Sequence, residues 1–538
     1  MSKRMISVFA AILFAFSGLL MRLYHLANGE WKEAASNQAK VTVTLARARG
    51  TIYDRNGVPL TNASSRYKAS VISTPEALAS LAQLLPSEEW QQLRERLQSG
   101  KPVVTDLDGA VSMADGVTLA LSPVRYQEEQ LAPHVLGYVS DDGTHGVCGI
   151  EKAYDEWLLT CGGEASVTYE TDGRGQVLVG GKAEVSNTLA AAKAGLVLTL
   201  DASIQRAVEC RCAPLLKKGA VVVTDPTNGD VLALASFPSF QPTRLATYLT
   251  AEDQPLFNRA TAAYNCGSVF KILSTVTALE AGIPATQTFS CSGRLRVGRN
   301  VINSHHTLGH GRQTLSAAFI NSCNPYYIQL VRQAGSSHLY RMATSLGFGS
   351  SLTLCVGYTT AASVFPTAGE LLQPTTLANV SFGQGSLTAT PLHIAQLTAS
   401  VVTDGSFYPL RLVKATVDAV GNQTEMPLKA PVRLYSGSNA ALLREMMRSV
   451  VEEGNGKAAR PNYGGAGGKT GTAETGWKTE KGSLMIQSWF TGFYPADNPQ
   501  YVVTVLSEDA ETTDCQAPPV FKVVCDELYK LLDKSTNK

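Results

Sequence analysis

Ser268 and Lys271 stand three residues apart in Gly267-Ser-Val-Phe-Lys271, at the head of an apolar stretch holding Ile272, Leu273, Val276 and Leu279. A serine hydroxyl is a poor nucleophile until a base removes its proton. On a helix, positions i and i+3 share a face, so the Lys271 amine can reach the Ser268 hydroxyl. The amine serves as a base only when neutral, and burial beside a second cation favours that state. Lys469, in Lys469-Thr-Gly-Thr472, can supply that cation. Between them lies Ser322-Cys-Asn324. Asn324 can hold Lys271 and a substrate amide, and Ser322 can pass a proton to a leaving amine. Lys469–Thr472 reads as an edge strand, followed by a turn near Lys481-Gly482 and a partner strand from Gln487. An edge strand takes an extended peptide by β-addition. Gly471 permits close backbone approach, and the Thr470 and Thr472 hydroxyls can bind a carboxylate. The N–H groups of Ser268 and Thr472 suit a developing oxyanion; losing one such donor costs roughly 10²–10³ in rate.

Each signal alone is weak. The tail Ser535-Thr-Asn-Lys538 matches both S-x-x-K and S-x-N, at a terminus with no helix after it. The ordered trio is the stronger sign, and it needs elements to position it. The pattern predicts a helix over about 268–281, stopping at Gly282, with Ser268 at its start, where N–H groups face a reacting oxygen. Residues 219–238 read as a β-hairpin around Asp225-Pro-Thr-Asn-Gly-Asp230. Leu196–Leu200 reads as a strand leading to a helix capped by Asp201. SWFTGFYP (488–495) and YVVTVLS (501–507) read as strands, and 519–533 as a last helix. Strands at both ends with helices between predict one domain whose sheet uses both ends of the segment. Upstream, 29 to about 60 reads as helix then strand, 75–100 as helical, and 101–190 as short strands and turns around GIEKAYDEWL.

The chain has 538 residues, enough for two to four domains. A net charge of +1 leaves no basic field of the kind nucleic-acid binders use. The ten cysteines form no C-x-x-C pair, so neither a thioredoxin-type nor a ribbon-type zinc site is indicated. Lys3 and Arg4 precede an uncharged apolar run from Met5 to Met21. The following MRLYHLANGEW lacks a small-x-small cleavage site, so an uncleaved anchor with a cytoplasmic N-terminus is expected, the rest lying outside.

The trio, with S-D-N in its middle place, marks class A β-lactamases and penicillin-binding proteins. The chain resembles the class B penicillin-binding proteins, the monofunctional peptidoglycan transpeptidases, well beyond it. Arg49-Gly-Thr-Ile-Tyr-Asp54-Arg-Asn-Gly57, His134-Val-Leu-Gly-Tyr138, Gly149-Ile-Glu151, Leu198-Thr-Leu-Asp201, Asn258-Arg-Ala, Gly383-Gln-Gly385 with Thr390-Pro391, and Trp489-Phe-Thr-Gly-Phe493 all resemble family motifs. The resemblance implies an α+β multidomain protein: residues 1–28 a tail and transmembrane anchor, 29–190 a mixed α/β pedestal of the dimerisation type, and 191–538 a transpeptidase domain. The last has the penicillin-binding/β-lactamase-like fold, an antiparallel sheet flanked by helices. It implies acylation of Ser268 by a D-Ala-D-Ala stem peptide or a β-lactam, release of D-Ala, and attack on the acyl-serine by a neighbouring stem's amine. It implies a polytopic membrane glycosyltransferase partner, no cofactor and no metal ligand.

Two departures stand out. Cys266 replaces the family's proline before Gly-Ser, and Cys323 fills the middle of S-x-N. With Cys291 and His305, His306 and His310 these thiols could form a structural metal site or a disulfide; solvated loop histidines are the plainer expectation. No Glu-x-x-Leu-Asn segment follows Asn324, which disfavours a β-lactamase. A sensor or D,D-carboxypeptidase on the same fold, and a non-catalytic division or sporulation scaffold, remain the alternatives. The short inner tail and compact pedestal lean toward division or sporulation.

Overall fold

The computed structural model describes residues 3–28, 39–109, 115–178, 180–181, 183–189, 193–304, 306–478, 482, 484–511 and 517–536. The anchor expected at the N-terminus is a helix, Lys3–Asn28, long and apolar enough to cross a membrane. The helix expected just after it falls at 29–38, outside the described residues.

The rest divides into two compact units, each discontinuous in sequence. The first gathers residues up to 50, 62–125 and 159–193. Lys40–Ala48 pairs antiparallel with Gly163–Glu170, which pairs with Glu184–Asn187. A second sheet places Ser64–Val71 between Val103–Leu107 and Val117–Val124. The helical stretch expected over 75–100 is two helices, Pro75–Leu84 and Ser87–Leu97. Pro86 breaks it, because proline disfavours helix at the residue before it and lacks the N–H that a continuing helix needs. Leu81, Leu93 and Leu97 pack with Val71, Val103 and Leu107 as the core of this part.

The second unit gathers 51–61, 126–158 and 194–538. Its antiparallel sheet has the order Val231–Phe237, Gly219–Thr224, Tyr501–Glu511, Leu484–Tyr494, Gly467–Lys478. Strands from both ends of the segment therefore meet, and Gly467–Lys478 forms an edge, as its sequence predicts. The partner strand begins at Leu484, ahead of the expected Gln487, and Lys481 of the expected turn lies outside the described residues. Side chains alternate across the sheet with period two. Val221, Val223, Val503 and Val505 face a core with the helices Ala202–Cys212 and Ala517–Thr536. Ala220, Val222, Val502 and Leu506 face the opposite core, which holds Lys271–Glu280, Pro391–Val402 and Gly437–Glu452. Both faces being covered explains why these strands are apolar almost throughout.

Residues 29–190 are expected as one block, yet Thr51–Thr61 and Tyr126–Leu158 group with the second unit. Pairing across the chain is the reason. Thr51–Tyr53 runs parallel to Gly195–Leu198, which also pairs with Val413–Val417. Asp54 fastens the crossing: its buried carboxylate accepts from the N–H groups of Asn56 and Val58 at 2.8 and 2.7 Å and of Ala202 at 3.1 Å. Asn56 Nδ2 reaches Asp201 Oδ2 at 3.1 Å. Asp201 caps the Ala202–Cys212 helix through Ser203 N and Ile204 N.

Candidate active site

The helix expected from Ser268 opens with a tighter turn. Gly267–Phe270 is 3-10, and the α-helix runs Lys271–Glu280. Gly267 has φ +58 and sits against the edge strand; a Cβ there would lie 2.5 Å from Thr472 O. Its N–H donates to Gly383 O at 2.9 Å, and a Cβ on Gly383 would collide with Gly267 O. Trp489 Nε1 donates to Asn265 O at 2.8 Å, pinning the lead-in to Ser268. The nucleophile candidate is thus locked between the edge strand and the 383–385 turn, where only glycine permits the approach.

Ser322 follows the Leu315–Ile320 helix in the left-handed region, φ +51. That conformation costs a non-glycine residue roughly 1–2 kcal/mol. It is held by Ser322 N donating to Phe319 O at 3.2 Å and Cys323 N to Ala318 O at 3.0 Å. The kink aims both the Ser322 carbonyl and its hydroxyl at Lys271. Asn324 then begins the helix Asn324–Ala334.

Four oxygens surround Lys271 Nζ. Ser322 O and Asn324 Oδ1 are 2.7 Å away; Ser268 Oγ and Ser322 Oγ are 3.1 Å away. The two near oxygens only accept. A neutral amine has two N–H donors and one lone pair. The near oxygens can take both donors, which leaves the lone pair for the two hydroxyls. Lys271 is fully buried, and burial, then the charge of Lys469, holds its amine well below the ordinary lysine range. Lys469, also fully buried, is lowered by burial to about 7. Its Nζ lies 3.1 Å from Ser322 Oγ, 3.2 Å from Thr470 O and 3.5 Å from Thr470 Oγ1.

The structure therefore brings together Ser268, Lys271, Ser322, Asn324 and Lys469, with Thr470, Gly471 and Thr472 on the adjoining strand. Gly471 is needed where it stands: a Cβ would meet Val269 Cγ1 at 2.9 Å and Cys266 O at 3.0 Å. Three further contacts complete the site, and none of them is marked by the motifs. The Tyr327 ring lies 5.4 Å from Lys271 Nζ and the Phe319 ring 5.7 Å from Lys469 Nζ. Asn455 Oδ1 accepts the Thr470 hydroxyl at 3.1 Å. Tyr327 was within reach of sequence, three residues past Asn324 on one helix face; Phe319 and Asn455 carry no such local mark.

Of the thiols and imidazoles singled out above, Cys291, His310 and Cys323 place their donor atoms within 4.8 Å of one another. His310 Nδ1 is buried without a hydrogen-bond partner. Two thiols and an imidazole are the donor types of a zinc site. Cys266 and His306 are not in this group, and His305 lies outside the described residues. Cys266 is wholly buried, and burial pushes its thiol up to about 12.

A serine, two buried lysines and an asparagine against the open edge of a helix-flanked antiparallel sheet define the class to which this chain should be compared. Residues 219–526 match the family model of the penicillin binding protein transpeptidase domain, and 44–189 that of the penicillin-binding protein dimerisation domain. The first match alone spans more than half of the 538 residues, and the chain belongs to the penicillin-binding proteins. Stage V sporulation protein D of Bacillus subtilis is 28% identical, over 90% of this chain and 78% of that protein. Peptidoglycan D,D-transpeptidase MrdA of Acinetobacter baumannii is 27% identical, over 92% of this chain and 82% of that one. A solved chain from work on the structural coordination of polymerization and crosslinking by a peptidoglycan synthase complex aligns with TM-score 0.67. It is 25% identical, with 99% of both chains covered.

Proposed function

We propose that the chain is a membrane-anchored peptidoglycan D,D-transpeptidase acting through an acyl-serine at Ser268. Lys271 takes the Ser268 proton as Oγ attacks the carbonyl carbon of the penultimate D-Ala of a donor stem peptide. The N–H groups of Ser268 and Thr472 stabilise the oxyanion. The C–N bond breaks, and the proton that Lys271 took passes through Ser322, 3.1 Å from its amine, to the departing D-Ala amine, with Lys469 beside it. The amine of a second stem then attacks the ester, forming the cross-link and returning the proton to Ser268. Asn324 orients Lys271 and the substrate amide. Thr470 and Thr472 hold the terminal carboxylate, and Gly471 lets the peptide lie along the edge strand. A β-lactam acylates Ser268 in the same manner and stays, because its leaving group remains tethered.

One observation carries this reading: the Lys271 amine stands 3.1 Å from the Ser268 hydroxyl with two carbonyl-type acceptors at 2.7 Å. That arrangement leaves its lone pair for the hydroxyls. The domain assignment that goes with it is 1–28 anchor, 29–190 pedestal and 191–538 transpeptidase domain, with 51–61 and 126–158 grouping with the last. Lys3 and Arg4 before the apolar run support a cytoplasmic N-terminus with the bulk outside. The likeness to a chain of a peptidoglycan synthase complex supports a membrane glycosyltransferase as partner.

The test is turnover. Full-length chain in detergent is given a peptide ending in D-Ala-D-Ala with and without an amine acceptor. Release of D-Ala with acceptor-dependent peptide bond formation supports the transpeptidase. Release by hydrolysis alone would make it a carboxypeptidase, and no release would favour the scaffold.

A further inference from the structure

Asn455 lies in the turn after the Gly437–Glu452 helix, between Gly454 and Gly456. Both glycines are pressed against their surroundings. A Cβ on Gly454 would stand 3.0 Å from Ile320 Cγ2, and one on Gly456 2.9 Å from Val450 Cγ1. Their N–H groups donate to Ser449 O and Val450 O, each at 3.0 Å. The backbone is therefore fixed on both sides of Asn455 without help from its side chain. That side chain is exposed, and its described hydrogen bond is to the Thr470 hydroxyl at 3.1 Å. Lys469 Nζ approaches the same hydroxyl at 3.5 Å. A hydroxyl has one proton. Here it points at Asn455 Oδ1, while a lone pair faces the lysine.

We infer that Asn455 is a specificity-determining residue. With Thr470 it forms the polar lip that receives the terminal carboxylate of the donor peptide, and the matching carboxylate of a β-lactam. The inference rests on the carboxylate role given to Thr470 under the proposed function. A carboxylate only accepts hydrogen bonds. Before substrate binds, Asn455 Oδ1 holds the Thr470 proton. As the anion arrives, that proton turns toward it. Rotation of the amide then brings Nδ2 to the lip, where it donates to Thr470 Oγ1 or to the anion itself. An amide serves both states because it accepts at one end and donates at the other. An aspartate at 455 can do only the first: it keeps the Thr470 proton and repels the incoming charge. An alanine leaves Thr470 unguided.

The experiment compares full-length wild type, Asn455→Ala and Asn455→Asp in detergent. Ser268 acylation is followed by quenched mass measurement, with the binding and acylation steps separated. The probes are benzylpenicillin and its methyl ester, which masks the carboxylate. For benzylpenicillin, Asn455→Asp should weaken the binding step roughly 10–100-fold, as expected for loss of a hydrogen bond to a charged group. Asn455→Ala should weaken it less, and the ester should react with all three chains alike. Equal losses on both probes, or no loss on either, would overturn the role of Asn455 while leaving the acyl-serine intact. A wild-type chain that forms no adduct would overturn the acyl-serine reading itself, and this inference with it.

Discussion

Lys271 and Lys469 approach one hydroxyl from two elements: each Nζ lies 3.1 Å from Ser322 Oγ. Two ammonium groups around one buried oxygen repel each other, and neither has a described carboxylate partner. Burial then decides the protonation. Lys271, with burial and its neighbour's charge both acting on it, is held well below the usual range. Lys469 is lowered by burial to about 7. The site thus favours a neutral amine where a base is needed.

The pH profile of acylation follows. Protonation of Lys271 removes the base, so the β-lactam acylation rate should fall on the acid side. The inflection should lie far below that of a free lysine, because burial and Lys469 both disfavour the cation. Quenched mass measurements of penicillin adduct against pH would locate it. An inflection near the ordinary lysine value would contradict this.

Stability carries the opposite mark of the same burial. For Lys469, the unfolded chain binds more protons than the folded one between about 7 and the ordinary lysine value of 10.5. Folding stability therefore rises with pH across that window. Lys469→Met removes the buried charge with little change in volume. It should abolish acylation yet raise the melting temperature at neutral pH, by about 1 °C per kcal/mol recovered for a unit of this size. It should also flatten the pH dependence of Tm through the window. A lower Tm would show that the lysine stabilises the fold as well.

Gly267→Ala tests the lock behind the nucleophile. The new Cβ would stand 2.5 Å from Thr472 O at a left-handed φ of +58, so the turn must move away from the strand. A displacement of about 1 Å costs roughly 10²-fold in rate. Acylation should drop by about that factor and Tm should fall with the strain, while far-ultraviolet circular dichroism changes little.

Asp54→Ala tests the crossing strand. It strips acceptors from the N–H groups of Val58 and Ala202, and should destabilise the fold by about 1–3 kcal/mol. Thermal melting would show one lowered transition in which penicillin binding is lost together with structure. An unchanged Tm would mean that the 51–61 segment contributes nothing to the second unit.

Much of this was legible in the residues, for physical reasons. Ser268–Lys271 and Lys469–Thr472 are legible because the chemistry demands fixed spacing. The 219–238 hairpin is legible because Asn-Gly-Asp punctuates two apolar runs, and the edge place of Gly467–Lys478 because the peptide must reach it. The sequence does not announce partners far along the chain. The parallel pairing of Thr51–Tyr53 with Gly195–Leu198 spans more than a hundred residues with no local signal, so both units came out discontinuous. Phe319 beneath Lys469 and Asn455 beside Thr470 were hidden in the same way. The thiols were half legible: Cys291, His310 and Cys323 converge, whereas Cys266 belongs to the packing behind Gly471.

The most direct test of the acyl-serine is an intact mass. Full-length chain is incubated with a fluorescent penicillin, and the adduct is weighed and mapped beside Ser268→Ala. A single stable adduct on the peptide holding Ser268, absent from the variant, is the result expected. A folded wild-type chain that takes up no label in membranes, or an adduct that survives Ser268→Ala, would contradict the account.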